Sequence, residues 1–503
     1  MPAQFTHRLH SIYNPVLEAQ RFVDANAHDD LHPVYLVVTE PGESWLVPIL
    51  RQRFPDVRLV AIRYTADHFI DTDALWDFVW RPNTGINIVS FLYTIISEDD
   101  IQDTVFWSWK PSDLVWAEMS ITIWDSIKDF LKLQSSVIST RQAFGPVWLY
   151  NTFRNALYAD RPVQISLPDK PTLITAAGPS LESLFPLVAE KFFMLSVSSS
   201  NACVLQNNVV PDLCMVTDAG YWVTQHFRNF PWHIPVALPL EACLPRQILK
   251  TNQVVFLDYG SVVEKEILGL LGYTGISAVR NGSVSGTAAL FALAHTDTAV
   301  FISGLDLSAT KAFTHARPHP SLTGLDETST RIQPLCSQLV QRNLFSSSME
   351  IYRNWFARQN SSFKSRFFQI KPVERPIPGI SSCTIERASE LADSSTSYLD
   401  TSGVFARPIQ CLSFSERKHL LLEWITKLEK RVLDDIFLAE KSVIASSSVE
   451  MEIVSMAGYS EYLRFVRTNR MKTDTSSAAH TREALIRKVE SCTNRIKNRL
   501  LYD

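Results

Sequence analysis

No stretch of this 503-residue chain holds ~18 uninterrupted apolar residues, the length a membrane-spanning helix requires, so no span is read from it. Nor does MPAQFTHRLHSIYNP place a basic segment ahead of an apolar one, so no signal peptide is expected. Basic excess is missing too. The 48 Lys and Arg against 52 Asp and Glu give a net charge of −4, which speaks against nucleic acid as a main partner. The seven cysteines (Cys203, Cys214, Cys243, Cys336, Cys383, Cys411, Cys492) are scattered, odd in number and never spaced C-x-x-C. Reduced, buried thiols in a cytoplasmic protein account for them, and the ligand spacing of a zinc site is absent. The dinucleotide fingerprint G-x-G-x-x-G is absent as well. What remains is an ordinary globular composition, 46% hydrophobic and 20% charged, in a chain too long for a single core.

The expected fold is α/β in three parts: an N-terminal α/β domain with a helical connector over 1–165, a central Rossmann-like α/β domain over 166–400, and a C-terminal α-helical bundle over 401–503. In the first part Asn14-Pro15 opens an amphipathic helix, VLEAQRFVDAN. Val34–Val38 and Arg58–Ile62 read as strands around the helical WLVPILRQRF, a βαβ unit and hence a parallel sheet. The turn between them offers only Pro41-Gly42-Glu43-Ser44, where Glu43 would repel a phosphate. Further strands are expected at Ile86–Phe91 and Thr104–Trp107. Asp113–Tyr158 reads as helical, its Trp116, Trp124, Phe130, Phe144 and Trp148 packing against a sheet. SLPDKP, after Arg161-Pro162-Val163, reads as a linker.

The central part is organised around PTLITAAGPSLESL, Pro171 to Leu184. A short apolar run predicts a strand, the small-residue stretch Ala176–Ser180 a tight turn, and Leu181-Glu182-Ser183-Leu184 the opening of a helix. Such a junction collects free N–H groups at one spot and suits a phosphate, with Gly178 allowing close approach, Pro179 fitting the first helical turn and Ser180 adding a hydroxyl; a plain turn that binds nothing is the competing reading. Strands follow at Phe192–Val197, Leu213–Thr217, Val236–Pro239, Val254–Asp258 and Ala299–Ser303, and each is followed by polar residues. Ser180, Asn201, Asp218, Ser283 and Asp306 therefore recur at the C-terminal strand ends, where open α/β sheets bind ligands, and would face one crevice. His315, nine residues past Asp306 in a polar loop, is a candidate general base, with an exposed surface histidine as the alternative. Ser321–Thr330 reads as a loop and Met349–Trp355, around Tyr352, as a helix supporting the site. From Ser413 helical periodicity takes over, and Arg482, Arg487, Lys488, Arg495, Lys497 and Arg499 make the last helix basic, either a solvated face or a docking face for a protein.

AAGPSL, the run from Asn201 through VPD to the VTD at Asp218, NGSVSGTAA and GLDLSATKAFTHA occur in an order that resembles the central domain of the Maf motility-associated factors, flagellin glycosyltransferases of bacteria. NPVLEAQRF and FGPVWLYNTFRNAL resemble that family too. The central domain is also similar to bacterial sialyltransferases and to archaeal hydroxymethylpterin pyrophosphokinases. The resemblance implies transfer of a nonulosonic acid (pseudaminic or legionaminic type) from its CMP derivative to Ser or Thr of flagellin in the cytoplasm. No further cofactor and no metal are implied. It assigns Gly178, Pro179 and Ser180 to the nucleotide phosphate, Asn201 to the ribose or phosphate, and Asp218 to the nucleotide, or to a metal in a kinase-like enzyme. The Gly282-Ser283 loop and Thr287 fall to the sugar or cytidine pocket, and Asp306 and His315 to the chemistry. The pattern departs at Ala176-Ala177, where the family often has Gly or Asn, at Lys311-Ala312, and in the N-terminal turn that lacks its glycines. Reduced activity or a changed donor is consistent with those departures.

Overall fold

The computed structural model describes residues 8–28, 31–168, 170–186, 189–308, 313–335, 337–338, 347–373, 375–395, 405–438, 448–470 and 475–502. Lys311, Ala312 and Cys336 lie outside them. The chain divides into two compact units, Met1–Ala143 with Gly458–Leu485, and Phe144–Ala457 with Ile486–Asp503. Both are α/β with parallel sheets, and helices close the chain. Among the described residues no helix is long and apolar enough to cross a membrane.

In the first unit β1 (Tyr35–Thr39), β2 (Arg58–Ile62), β3 (Phe78–Trp80) and β4 (Thr104–Ser108) form a parallel sheet in the order β3-β2-β1-β4. Every residue of β1 is buried, as a central parallel strand with both faces covered requires. The Pro41–Ser44 turn is filled from within. Arg63, fully buried, pairs with Glu40 at 3.2 Å and donates to the Gly42 carbonyl at 2.7 Å. Arg63 also pairs with Asp73, which is further held by Arg81.

The expected strand at Ile86–Phe91 is instead a helix, Ile88–Ile95. Asn87 caps it by accepting from the Ser90 N–H at 2.8 Å, and Ile88 and Leu92, four residues apart, are its buried face. Asp113–Tyr158 is helical as expected, in the segments Lys110–Val115 and Ala117–Tyr158.

The second unit holds a nine-stranded sheet. Its strands are β6 (Thr172–Thr175), β7 (Phe193–Val197), β8 (Leu213–Met215), β9 (Val236–Leu238), β10 (Val254–Asp258), β11 (Ile276–Ser277), β12 (Val300–Ser303), β13 (Phe367–Ile370) and β14 (Ser381–Cys383). All neighbours are parallel, in the order β11-β10-β9-β8-β7-β6-β12-β13-β14. Ile174, Phe193 and Leu195 belong to one apolar cluster and Leu173, Met194 and Phe301 to another, so alternate residues feed cores on the two faces.

The described residues of the expected linker SLPDKP past Ser166 are neither helix nor strand, and ahead of them Val163–Ser166 is a strand, β5, because β15 (Phe405–Pro408) returns antiparallel beside it and satisfies its backbone. The loop expected at Ser321–Thr330 is largely helix, Pro320–Glu327. The helix expected around Tyr352 spans Ser347–Ala357.

The C-terminal helices Phe414–Leu438 and Val449–Ala457 belong to the second unit and Tyr459–Arg470 to the first; Thr475–Tyr502 supplies residues to both. Within the second unit the last helix is a core element: Val489, Ile496 and Leu500 are buried and Lys497 pairs with Glu429 at 2.6 Å. Its basic side chains are therefore partly engaged inside the protein, and Arg499 lies 5.8 Å from the Tyr150 ring.

Candidate functional site

The chain runs outward from β6 to β11 and then crosses back to lay β12 along the other side of β6. The strand order reverses between those two strands, which is where an open α/β sheet leaves a crevice beyond its C-terminal edge. The two turns that leave this edge are laced together. Ala176 N–H donates to Ser303 O at 2.8 Å and Gly178 N–H to Gly304 O at 2.7 Å. Gly304 has φ of +77°, and a Cβ on it would collide with the Ala176 carbonyl. Gly178 is equally confined: a Cβ there would collide with the Asp306 carboxylate and the Gly304 carbonyl.

The expected helix after this turn is a single 3₁₀ stretch, Pro179–Leu184. Its Ser180 N–H already donates to Asp306 Oδ2 at 2.8 Å, and Asp306 is buried. An anion does sit at the Gly178-Pro179-Ser180 turn, as the residue types suggested, but it is the protein's own carboxylate. That N–H is consequently not open to a nucleotide phosphate in this arrangement. The partner loop is pinned nearby. Ala316 N–H donates to Ala177 O at 2.7 Å, and Arg317 grips Glu182 with Nε and a terminal nitrogen at 2.9 and 2.8 Å, which lowers the Glu182 carboxyl below its usual range.

This pinned loop carries His315 and His319, whose rings stack 4.0 Å apart at 12°. A third ring, His226, lies 5.5 Å from His319; it ends the short 3₁₀ element Tyr221–Phe227 that follows β8 and Asp218. Each ring meets a hydroxyl through Nδ1: His226 with Ser198 at 3.2 Å, His315 with Thr314 at 2.9 Å, and His319 with Ser321 at 2.7 Å. His319 Nδ1 also accepts from the Ser321 backbone N–H at 3.3 Å. Burial depresses all three imidazoles. His226 falls to about 4, where the neighbouring His315 adds to burial and Asp218 works the other way, and His319 to about 3, where His315 and His226 add to burial. The rings are thus neutral at physiological pH, the state a proton acceptor needs.

Asp218 itself is exposed, and among the described residues its carboxylate bonds its own turn, accepting from Gly220 N–H at 2.8 Å. Its charge reaches His226 and Tyr352 and raises the Tyr352 phenol, after burial. Tyr352 lies against Gly282, where a Cβ would come within 2.9 Å of the ring. Asp218 is therefore near both His226 and Tyr352, and Tyr352 lies against the Gly282-Ser283 loop.

Ser283 and Thr287 do local work. Ser283 Oγ caps the helix Val284–His295 by accepting from Gly286 N–H at 3.1 Å, and the fully buried Thr287 accepts from Asn281 N–H at 3.2 Å. Asn201 faces inward rather than into the crevice. It is 1% exposed, accepts from Ser196 Oγ at 3.0 Å and reaches Cys214 Sγ at 3.3 Å. Among the described residues no three His, Cys, Asp or Glu side chains are arranged to hold a metal ion.

Two groups went unread in the sequence. His226 has no motif around it beyond its place after the Asp218-Ala219-Gly220 turn. The other group lies past β9, where Glu241 pairs with Arg280, whose guanidinium rests 5.1 Å from the Trp148 ring and 5.4 Å from the Tyr259 ring. Behind it the buried Glu264 accepts from Glu241 N–H at 2.9 Å. Burial and the neighbouring Glu241 carboxylate push the Glu264 carboxyl well above its usual range. Asn151 and Asn155, at the end of the long helix, bind the carbonyls of Ala219, Leu240, Glu241 and Ala242 and set these loops in place.

Residues 149–312 match the family model described as 6-hydroxymethylpterin diphosphokinase MptE-like. Among solved structures, the Maf glycosyltransferase from Magnetospirillum magneticum AMB-1 is similar over 99% of this chain and 85% of that one, with a TM-score of 0.49 and 13% identity. An uncharacterized protein of Treponema pallidum (strain Nichols) is 29% identical over 177 residues, 33% of this chain and 30% of that protein. A second uncharacterized protein of the same organism is 31% identical over 396 residues, covering 78% of this chain and 86% of its own length. The chain belongs to the family of this second Treponema pallidum protein, and the crevice lies in a domain matched by the MptE-like model.

Proposed function

We propose that this protein is a glycosyltransferase that moves a nonulosonic acid, of pseudaminic or legionaminic type, from a CMP-activated donor to Ser or Thr of flagellin in the cytoplasm, a step needed for filament assembly and motility. The observation that carries the reading is an imidazole, His315, stacked on His319 in the loop that Ala316 ties to Ala177 of the switch-point turn, nine residues past Asp306. The sequence resemblance of AAGPSL, NGSVSGTAA and GLDLSATKAFTHA to the Maf motility-associated factors supports the choice of donor and acceptor.

In this reaction the acceptor hydroxyl oxygen bonds to the anomeric carbon of the sugar as the bond from that carbon to the CMP phosphate oxygen breaks. The hydroxyl proton passes to His315, and the electron pair of the broken bond leaves on CMP. CMP is a good leaving group, so the protein's task is to place the acceptor and balance charge on the departing phosphate. Asp306, locked on Ser180, holds the turn against which His315 is positioned. Asp218 and the Gly282-Ser283 loop would frame the nucleotide and sugar from the neighbouring strand ends, with the buried Thr287 holding that loop through the Asn281 N–H.

The test is incubation of the purified protein with flagellin and CMP-nonulosonates, read as the intact mass of flagellin. A mass increase of one sugar supports the reading; no increase with any donor, together with no CMP binding, sinks it. The MptE-like match favours one other reading, a diphosphokinase with Mg·ATP near Asp218. Calorimetric titration with CMP and then with ATP and Mg²⁺ separates the two. Binding of neither, with flagellin still bound, would mark a non-catalytic flagellin-binding factor.

A further inference from the structure

The three-histidine cluster has a property the base assignment does not use. His319 is 6% exposed, and its Nε2 has no hydrogen-bond partner among the described residues. Because Nδ1 accepts the Ser321 backbone N–H, the proton of the neutral ring sits on Nε2. A buried N–H donor without an acceptor is a costly feature unless something completes it. What completes a donor is an electron-rich oxygen; a metal ion would need the lone pair instead. His226 and His315 also engage hydroxyls through Nδ1, and where Ser198 and Thr314 donate to that nitrogen the ring proton sits on Nε2 as it does in His319.

The surroundings fit an anion. Among the described residues none of the three rings is ion-paired to a carboxylate, and the groups that meet them are the hydroxyls of Ser198, Thr314 and Ser321. Asp218 is the carboxylate whose charge reaches the cluster, at His226. The neighbouring Gly178-Pro179-Ser180 turn already holds Asp306, so a phosphate finds its donors at the histidines rather than there.

We propose that His226, His315 and His319 form an oxyanion pocket that takes a phosphate group of the substrate, with protons taken up by His226 and His319 as the anion enters. The nucleotide sugar as owner of that phosphate rests on the transferase reading; the oxyanion pocket itself does not. Burial keeps the empty rings neutral, and an entering anion reverses the balance by making the protonated rings favourable. Affinity for the anion therefore rises as pH falls. A phosphate released from the donor would meet imidazolium groups that protonated on its arrival, and His315, once it holds the acceptor's proton, would add to that charge.

The experiment uses the full chain labelled with ¹⁵N-histidine and titrated with sulfate, a tetrahedral probe whose charge is constant between about pH 6 and about pH 8. NMR follows the ring nitrogens, assigned by single His→Gln variants, and the titration is repeated with CMP. The expected result is that the signals of these three rings move and that sulfate affinity falls about tenfold or more from the lower to the higher pH. His319→Phe keeps a stacked aromatic ring but removes the donor, and should weaken sulfate binding about ten- to hundredfold. Unmoved ring signals in folded wild-type protein overturn the proposal, as does binding of equal strength at both pH values. Sugar transfer to flagellin with silent histidine rings would sink the pocket and spare the transferase; ring signals that respond to sulfate without transfer from any CMP donor would do the reverse.

Discussion

The backbone N–H of Ser180 and the carboxylate of Asp306 are 2.8 Å apart, although 126 residues separate them in the chain. This bond closes the switch point between β6 and β12, and it decides how substitutions in the turn will behave.

Gly178→Val is a structural lesion rather than a probe of nucleotide binding. Its side chain would meet the Asp306 carboxylate and the Gly304 carbonyl, and the carbonyl is backbone that cannot swing aside. We expect a loss of about 1–3 kcal/mol in urea unfolding. Ser180→Ala keeps the N–H that bonds Asp306 and should leave the urea midpoint within about 0.5 kcal/mol of wild type. It is the variant to use when CMP affinity is the question.

Asp306→Ala leaves the half-buried Ser180 N–H without this acceptor, and should cost about 1–2 kcal/mol by the same measurement. Asp306→Asn retains an acceptor oxygen and should cost less. Equal losses for the two would mean that the charge, and not the acceptor, holds the turn.

The histidines tie stability to pH in one direction. Their folded pKa values lie below the ordinary 6.5, to about 4 for His226 and about 3 for His319, so the unfolded chain binds more protons in that interval. Their contribution is complete above pH ~6.5 and is lost as pH falls toward those values. Buried carboxyls respond in the opposite sense, so the quantity to follow is the Tm difference between wild type and His319→Gln. That difference should shift in favour of the variant as pH drops from about 6.5 to about 4.5. A pH-independent difference would place His319 in solvent-like surroundings.

Glu264 gives the opposite sign. Its folded pKa is raised, so the stability it contributes is present at low pH and is lost as pH rises above the ordinary carboxyl value. Glu264→Gln keeps an acceptor for the Glu241 N–H and cannot ionise. We expect it to match wild type near pH ~5 and to be more stable by about 1–2 kcal/mol near pH ~8.5, measured by urea unfolding.

Truncation after Thr481 is expected to destabilise the second unit rather than merely remove a basic docking face, because Val489, Ile496 and Leu500 leave its core. Replacing the exposed Arg495 by Gln or Glu in the full chain separates charge from packing. If the basic face docks flagellin, affinity in a pull-down falls while Tm holds; unchanged affinity returns the charges to a solvated role.

The amino-acid order by itself determined the elements that rest on local chemistry. Apolar runs such as Leu173-Ile174 and Phe193–Val197, bounded by polar turns, are strands because both faces are covered by apolar layers. Asn14 and Ser283 start helices because their side-chain oxygens accept the first free N–H groups. The regular alternation of strand and helix sufficed for parallel sheets, and the polar strand ends for the edge on which to look. Where local signals were ambiguous the reading slipped: Ile88–Ile95 is as apolar as a strand, and its Asn87 cap with the Ile88 and Leu92 spacing decides for a helix.

Tertiary structure alone decided what meets what at that edge. Nothing within β12 says that it inserts beside β6 rather than beyond β11, since all these strands are short, parallel and apolar, and the choice depends on packing summed over the whole sheet. That insertion puts Asp306 on Ser180 and turns an apparent anion site into an internal bond. The loop after β12 and the segment after β8 come together for the same reason, so His226 joins His315 and His319 from nearly a hundred residues away, as no spacing in the sequence could show. Asn201 was read as a ligand from its place after β7, but its side chain found Ser196 and Cys214 inside, because a strand end shows where the backbone goes and packing decides where the side chain points.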